Sequence, residues 1–307
     1  ESVFYPIPLF DILEVIPSKN KEIPFYLEVI GMPNDGKPNL VEKAYRGLSQ
    51  KYEIPPIEVT LKKCIPFAAG LGGGSADAAY TLKVLADMFI NTPNYEELHN
   101  IGKSIGADVP FFIKNKPVFA EGIGTDFSDI NLSLKGYYIV LIKPDIAIST
   151  AEAYSGVTPS APSYDLKETL KLPINEWRDV VKNDFEKSLF PKYPRLKAIK
   201  DALYECGAEY ASMSGSGSSI FGIFKNLPNK KMINKFTVNS DFVFIEKIKD
   251  NIQTYLIFLV LLFNIALEIV SQLYTIGFVN PFTIEFFLDL AVSLTTTMIC
   301  YMCFIPF

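Results

Sequence analysis

The residues best placed to do chemistry lie between Pro66 and Ala79, which read Pro-Phe-Ala-Ala-Gly-Leu-Gly-Gly-Gly-Ser-Ala-Asp-Ala-Ala. Gly70, Gly72, Gly73 and Gly74 supply backbone without Cβ atoms, so an anion can come close to main-chain N–H groups. Ser75 follows at once, and Ala78, Ala79, Leu82, Leu85, Ala86 and Phe89 recur near the helical period. A glycine loop that runs into a helix aims the free amides of the first turn, and the positive end of the helix dipole, at one point. Phosphate is the natural guest. The loop lacks the Lys-Ser/Thr that closes a Walker motif, and its glycine spacing is not the dinucleotide fingerprint. It is therefore either a phosphate loop of another kind or a flexible turn ahead of a helix.

Other stretches carry candidate chemistry. In Gly106-Ala107-Asp108-Val109-Pro110, Asp108 is either a helix N-cap or a base set before an apolar run. Ser214-Gly215-Ser216-Gly217-Ser218-Ser219 is a second glycine–serine loop, read as a hairpin turn or as another phosphate contact. Tyr154 offers a flat π-face to a nucleobase, or fills a core. His99, the single histidine, lies between Leu98 and Asn100 and reads as a solvated helix residue. Cys64 and Cys206 are isolated, which suits a reducing compartment. Cys300 and Cys303 lie in an apolar run with no second pair, as membrane-buried thiols rather than a zinc site.

The elements that must position these residues follow from patterning. Val3 to Leu27 alternates apolar and polar residues, broken by Pro6, Pro8, Pro17 and Pro24, as strands and turns do. A helix opens at Asn39-Leu40-Val41 and ends near Tyr52. Ile57 to Leu61 alternates as a strand and leads into the glycine loop. Tyr95 to Ile105 is another helix, Tyr137 to Ile142 a strand, and Ala147-Ile148 belongs to a paired strand before a helix start at Ser149-Thr150. A proline- and charge-rich stretch, 155–182, forms a loop and short helices. Pro194 to Leu203 is helical, and Ile220 to Phe224 is a strand.

The 307 residues are long enough for two modest domains, and the net charge of −5 argues against a nucleic-acid partner. Apolar residues concentrate near the C-terminus. Tyr255 to Phe278 is apolar with only Asn264, Glu268 and Gln272 as strong exceptions, and a second run follows Asn280-Pro281 to Phe307, with Glu285 and Asp289 early in it. Each is near bilayer length, and the lysines ahead of them, from Lys230 to Lys249, place the first part on the cytoplasmic side. The expectation is a transmembrane-like helical hairpin over 250–307 that tethers a cytoplasmic domain to a membrane, or an unrelated segment joined to it.

The pattern Pro-x-x-x-Gly-Leu-Gly-Gly-Gly-Ser-x-Asp-Ala-Ala resembles the ATP loop of the GHMP kinase superfamily. With Gly-Ala-Asp-Val-Pro and Ser-Gly-Ser-Gly-Ser-Ser, it is similar to the branch that phosphorylates a cytidine-diphosphate methylerythritol in non-mevalonate isoprenoid (terpenoid) synthesis. The likeness runs from about Val3 to about Ile248. It implies an α+β, two-domain fold: a ribosomal S5-like N-terminal domain (1–145) lacking its first strand, and a ferredoxin-like C-terminal domain (146–249). It implies ATP and Mg²⁺ as cofactors and a small-molecule substrate. ATP would be held by Pro66, Ala69, Gly70, Leu71, Gly72, Gly73, Gly74, Ser75 and Ala76, and Ser214, Gly215, Ser216, Gly217 and Ser218 would complete the phosphate pocket. Asp108 would be the catalytic base, and Ile123, Thr150 and Tyr154 would face the cytidine end.

The family also uses an early lysine and a Tyr-His pair in a segment ahead of Glu1, which implies weak turnover and an open edge on the first sheet. Two alternatives stand beside this reading. One is a membrane-anchored, catalytically weak nucleotide-binding module. The other is a GHMP kinase acting on another small alcohol such as homoserine or mevalonate.

Overall fold

The computed structural model describes residues 1–31, 38–122, 124–160 and 164–249, and the backbone of 297–306. A long strand, β1 (Ser2–Pro17), runs through the first unit. It is followed by β2 (Phe25–Ile30), α1 (Leu40–Ser49), β3 (Ile57–Lys62) and α2 (Gly73–Phe89). Then come α3 (Tyr95–Ile105), α4 (Val109–Lys114), β4 (Val118–Glu121) and β5 (Asp126–Asp129). The sheet order is β2-β3-β1-β4-β5, with β2 parallel to β3 and the other pairs antiparallel.

Both ends of β1 use the same edge. Residues Ile12–Pro17 pair with β3, and Ser2–Phe4 pair with β4. The opposite edge takes β10 (Thr297–Pro306), because Phe4 and Leu13 each have a second partner there, Pro306 and Met298. The edge expected to stand open is thus occupied by the C-terminal strand.

This corrects part of the membrane expectation. Over 297–306 the second apolar run is a strand, and Cys300 and Cys303 sit opposite Asp11 and Ile7 in a sheet. An apolar run rich in Thr, Ile, Tyr and Phe suits a ladder as well as a bilayer, and hydropathy alone does not separate the two. Among the described residues no helix is long and apolar enough to cross a membrane. The first run, 255–278, and the start of the second lie outside the described residues.

The ladder between β1 and β10 shifts register between Ile7 and Phe10. Such a bulge exchanges the faces to which alternate side chains point. Before it, Val3, Tyr5, Ile7 and Leu9 pack toward the second unit; after it, Leu13 and Val15 pack under α2. Asp11 lies just beyond the bulge and is fully buried.

The first unit's core is built on α2, which is apolar almost all round. Ala76, Ala78, Ala79, Leu82, Val84, Leu85 and Ala86 are buried against α1, α3, α4 and the sheet. The other helices show ordinary start signals. Asn39 caps α1 by accepting from the Val41 amide (3.0 Å), and Asn94 caps α3 through the amides of Glu96 and Glu97 (3.0 and 3.3 Å).

The second unit has the antiparallel order β7-β8-β6-β9, from β6 (Tyr138–Lys143), β7 (Tyr210–Met213), β8 (Ile220–Phe224) and β9 (Phe242–Lys247). Its helices are α5 (Thr150–Ser155), α6 (Leu166–Thr169), α7 (Phe185–Lys192), α8 (Pro194–Glu205) and α9 (Lys230–Ile233). The chain passes between sheets from Asp129 to Tyr138, so β6 lies ahead of residue 145 yet pairs with β8 and β9. Residues 144–149 are irregular rather than the expected strand at Ala147-Ile148; Pro144 ends β6, and Ile148 packs with the α8 side of the core. A shared core, including Ile7 and Leu9 from β1, Leu71 from the glycine loop, and Ile139, Tyr210 and Phe221, joins the two sheets.

Candidate active site

A cavity of about 1390 Å³ opens between the two units, and its floor is the segment from Pro66 to Ser75. The segment folds as its glycines require. Gly72 adopts φ +67°, a left-handed conformation that glycine enters without steric cost, and stands at the N-cap of α2. No side chain caps the helix. The first intrahelical bond is donated by Ala76 to the Gly72 carbonyl (2.9 Å), so the amides of Gly73, Gly74 and Ser75 have no carbonyl one turn back. These three residues line the cavity. A helix start that is uncapped and open to a cavity is suited to receive an anion.

The second glycine–serine loop braces the first. Ser214 Oγ donates to the Gly70 carbonyl (2.7 Å), and the Ser219 amide donates to the Ala69 carbonyl (3.3 Å). Gly70, at φ +68°, lies so close that an added Cβ would fall 2.2 Å from the Ser214 carbonyl oxygen. The two loops form one interlocked wall. Gly215, Ser216 and Gly217 face the cavity, whereas Ser214 and Ser218 are fully buried behind it. Ser218 Oγ instead donates to the Ile146 carbonyl (2.5 Å). Ala76 also lies behind the wall, in the core under α2. Pro66, Ala69, Gly70, Leu71, Gly72, Gly73, Gly74 and Ser75 all reach the cavity.

Asp108 stands at the N-cap position of α4 but makes no side-chain capping bond. Its carboxylate is left for the cavity, which it lines. The turn before it abuts the head of α2, since a Cβ on Gly106 would lie 3.9 Å from Ser75 Oγ. Desolvation raises the Asp108 carboxyl to about 6, so at neutral pH it is ionised but more basic than an ordinary aspartate.

The far end of the cavity is aromatic. Tyr154 on α5 is 62% exposed and lines the space, so it does not fill a core. Its ring meets Phe185 edge-on, with centroids 5.0 Å apart. Thr150, at the start of α5, also lines the cavity; Ile123 lies outside the described residues, between Gly122 and Gly124, which line it. His99 is off the cavity on α3, where its ring meets Phe127 edge-on at 6.5 Å. Cys64 and Cys206 are free thiols.

Several residues that matter for the site were assigned no role there by the sequence, although Asn183-Asp184-Phe185-Glu186 resembles the family's second domain and Asp77 closes the glycine-loop pattern. Asn183 donates from Nδ2 to the carbonyls of Met213 and Gly215 (both 2.8 Å), and Glu186 accepts from the Met213 amide (2.8 Å) while paired with Lys200 (2.6 Å). Together they hold the second loop from α7 and the residues just before it. Beneath the first loop, Lys63 is clamped between Asp11 and Asp77 (2.6 Å to Asp77 Oδ2). Burial disfavours the Lys63 charge, but the two carboxylates outweigh it and raise its value. Asp77 belongs to the glycine-loop pattern, but nothing local pairs it with Asp11 and Lys63.

Comparison with known proteins matches these features. The model of the GHMP kinases N terminal domain matches residues 39–116, and that of the GHMP kinases C terminal matches residues 166–236. The chain is 53% identical over 227 residues to a 4-diphosphocytidyl-2-C-methyl-D-erythritol kinase of Parabacteroides distasonis, covering 73% of this chain and 82% of the relative. It is 49% identical over 251 residues to the protein of that name from Bacteroides fragilis, covering 81% and 90%. Among solved structures, a 4-(cytidine 5'-diphospho)-2C-methyl-D-erythritol kinase superposes with a TM-score of 0.67 at 25% identity, over 79% of this chain and 88% of that one.

Proposed function

This chain belongs to the GHMP kinase family, and we propose that it transfers the γ-phosphoryl group of ATP to the 2-hydroxyl of 4-diphosphocytidyl-2-C-methyl-D-erythritol. One observation of the fold carries the reading: the uncapped amides at the head of α2 and the Asp108 carboxylate border the same cavity, with Gly106 against Ser75. Phosphoryl transfer depends chiefly on positioning and on stabilising the equatorial oxygens, and this arrangement supplies both.

In the proposed reaction the amides of Gly73, Gly74 and Ser75 hold the polyphosphate, with Gly215 to Gly217 as the opposing wall. Asp108 accepts the proton of the substrate hydroxyl while its oxygen bonds to the γ-phosphorus; the bond to the β-phosphate oxygen breaks and ADP leaves. Tyr154 stacks on the cytosine, with Phe185 fixing its ring and Thr150 and Ile123 at the same end. Among the described residues no three His, Cys, Asp or Glu side chains group as a metal site. Mg²⁺ would arrive with the nucleotide on its phosphates, with Ser75 as a candidate contact, and would help neutralise the transferring group.

The expectations of weak turnover and of a membrane-anchored module find no support in these observations. The test is a coupled ADP assay on the purified chain with ATP, Mg²⁺ and the cytidine substrate. ADP release that requires that substrate, with a new phosphomonoester signal, is expected. Equal ADP release with and without it, or transfer to homoserine or mevalonate instead, overturns the proposal.

A further inference from the structure

Beneath the phosphate loop lie three ionisable side chains from three different elements. Asp11 comes from β1 and is fully buried, Asp77 comes from the second turn of α2 and is 2% exposed, and Lys63 follows β3. Their hydrogen bonds are unequal. Asp11 Oδ1 accepts from the amides of Cys64 and Ile65 (2.8 Å from Ile65), and its Oδ2 accepts from Lys63. Asp77 Oδ2 accepts from Lys63 (2.6 Å), but Asp77 Oδ1 is buried without a partner. Asp77 and Lys63 both line the cavity, and Asp77 stands roughly 6 Å along the helix axis from Gly73.

Two carboxylates against one ammonium leave a net negative charge, buried beside a space shaped for polyphosphate. Adding several phosphate charges there is unfavourable unless the excess charge is removed. A proton can do this, and it has one place to go. Every oxygen of Asp11 and Asp77 Oδ2 already accepts a bond, whereas Asp77 Oδ1 accepts none.

We propose that Asp77 is a further nucleotide-binding residue, which takes a proton from solvent onto Oδ1 as the polyphosphate binds and donates it as a hydrogen bond to a phosphate oxygen. The inference rests on the nucleotide-binding reading above. The charged groups that act on Asp77 are Lys63 and Asp11, while Asp108 at the head of α4 shares the cavity; the faces of α1 and α4 packed on α2 are apolar, through Val41, Ala44, Leu48, Phe111 and Phe112. Desolvation, only partly offset by Lys63, already brings the Asp77 carboxyl to about 7, so the proton is available near neutral pH.

The experiment is calorimetric titration of the full chain with AMP-PNP and Mg²⁺ at pH 8, in two buffers of different ionisation enthalpy. The wild type takes up about 0.9 proton per nucleotide from Asp77, and D77N, whose amide still donates but does not titrate, takes up correspondingly less. The ratio of wild-type to D77N dissociation constants rises about tenfold between pH 6 and pH 8, a comparison in which the ligand's own titration cancels. Buffer-independent heat in the wild type overturns the proposal even if D77N fails to fold, and so does equal uptake by both proteins. Absence of any wild-type binding overturns both this inference and the nucleotide-binding reading, whereas binding without proton uptake overturns the inference alone.

Discussion

Replacing Gly70 by alanine tests whether the two glycine loops form a single rigid wall. The new Cβ would lie 2.2 Å from the Ser214 carbonyl oxygen and 2.9 Å from that of Gly217, both backbone atoms that cannot rotate away. The φ of +68° adds about 1–2 kcal/mol for a residue with a Cβ. Relieving the overlap requires the loops to part by about 1 Å, an overpacking cost of about 1–3 kcal/mol. Parting them also strains the Ser214 Oγ bond to Gly70 and the Ser219 amide bond to Ala69, each worth about 1 kcal/mol net. The expected loss is about 3–6 kcal/mol of unfolding free energy, with nucleotide affinity lowered about a hundredfold in whatever protein remains folded. Gly74 is the matched control, since its Cβ would meet only Leu40 Cδ1, at 3.6 Å, from a helical position. Gly74→Ala should hold or gain up to about 1 kcal/mol. Urea unfolding followed by tryptophan fluorescence, which reports on the buried Trp177, measures both. A Gly70→Ala protein within about 0.5 kcal/mol of the wild type refutes the interlocked-wall argument.

Three other outcomes are expected. Asp108→Asn should lower kcat by about 10²–10⁴ with little change in nucleotide affinity. In the wild type kcat/KM should fall about tenfold from pH 7 to pH 5, because the carboxyl near 6 must be ionised to accept a proton; stopped assays across pH check both. Asn183→Ala leaves the carbonyls of Met213 and Gly215 without their donor and should destabilise by about 1–3 kcal/mol, seen as a lower urea midpoint, with a raised KM for ATP. Tyr154→Ala should raise KM for the cytidine substrate about 5- to 100-fold and leave that for ATP near its original value, while Tyr154→Phe restores it; initial-rate kinetics decide.

How far the sequence could be read depended on the range of the interaction. The helices α1 and α3 were legible because Asn39, Asn94 and their apolar spacing act within one or two turns. The start of α2 was legible because glycine spacing is local chemistry. At Asp108 the residue pattern alone left cap and base open; the missing capping bond and the cavity beside it favour the second. At Tyr154 the alternatives were likewise local twins, separated only by exposure. The C-terminal run was misread over 297–306 because hydropathy describes a segment's solvent preference, not whether a strand edge awaits it.

The two glycine-rich loops, the order of elements that carry them, and the likeness to a kinase family could be read from the chain alone, since each lies in residues adjacent along it. That Ser214 donates to the Gly70 carbonyl, that Asn183 holds two carbonyls of the second loop, and that Asp11, Lys63 and Asp77 meet beneath the first follows from the folded chain alone. These partners are 144, about 30 and 14 to 52 positions apart, so no local pattern announces them. The three charged groups meet because Asp11 lies on a buried position of β1 just past the register shift and the fold brings Lys63 and Asp77 beside it, and a buried charge must find its counter-charge wherever the fold brings one.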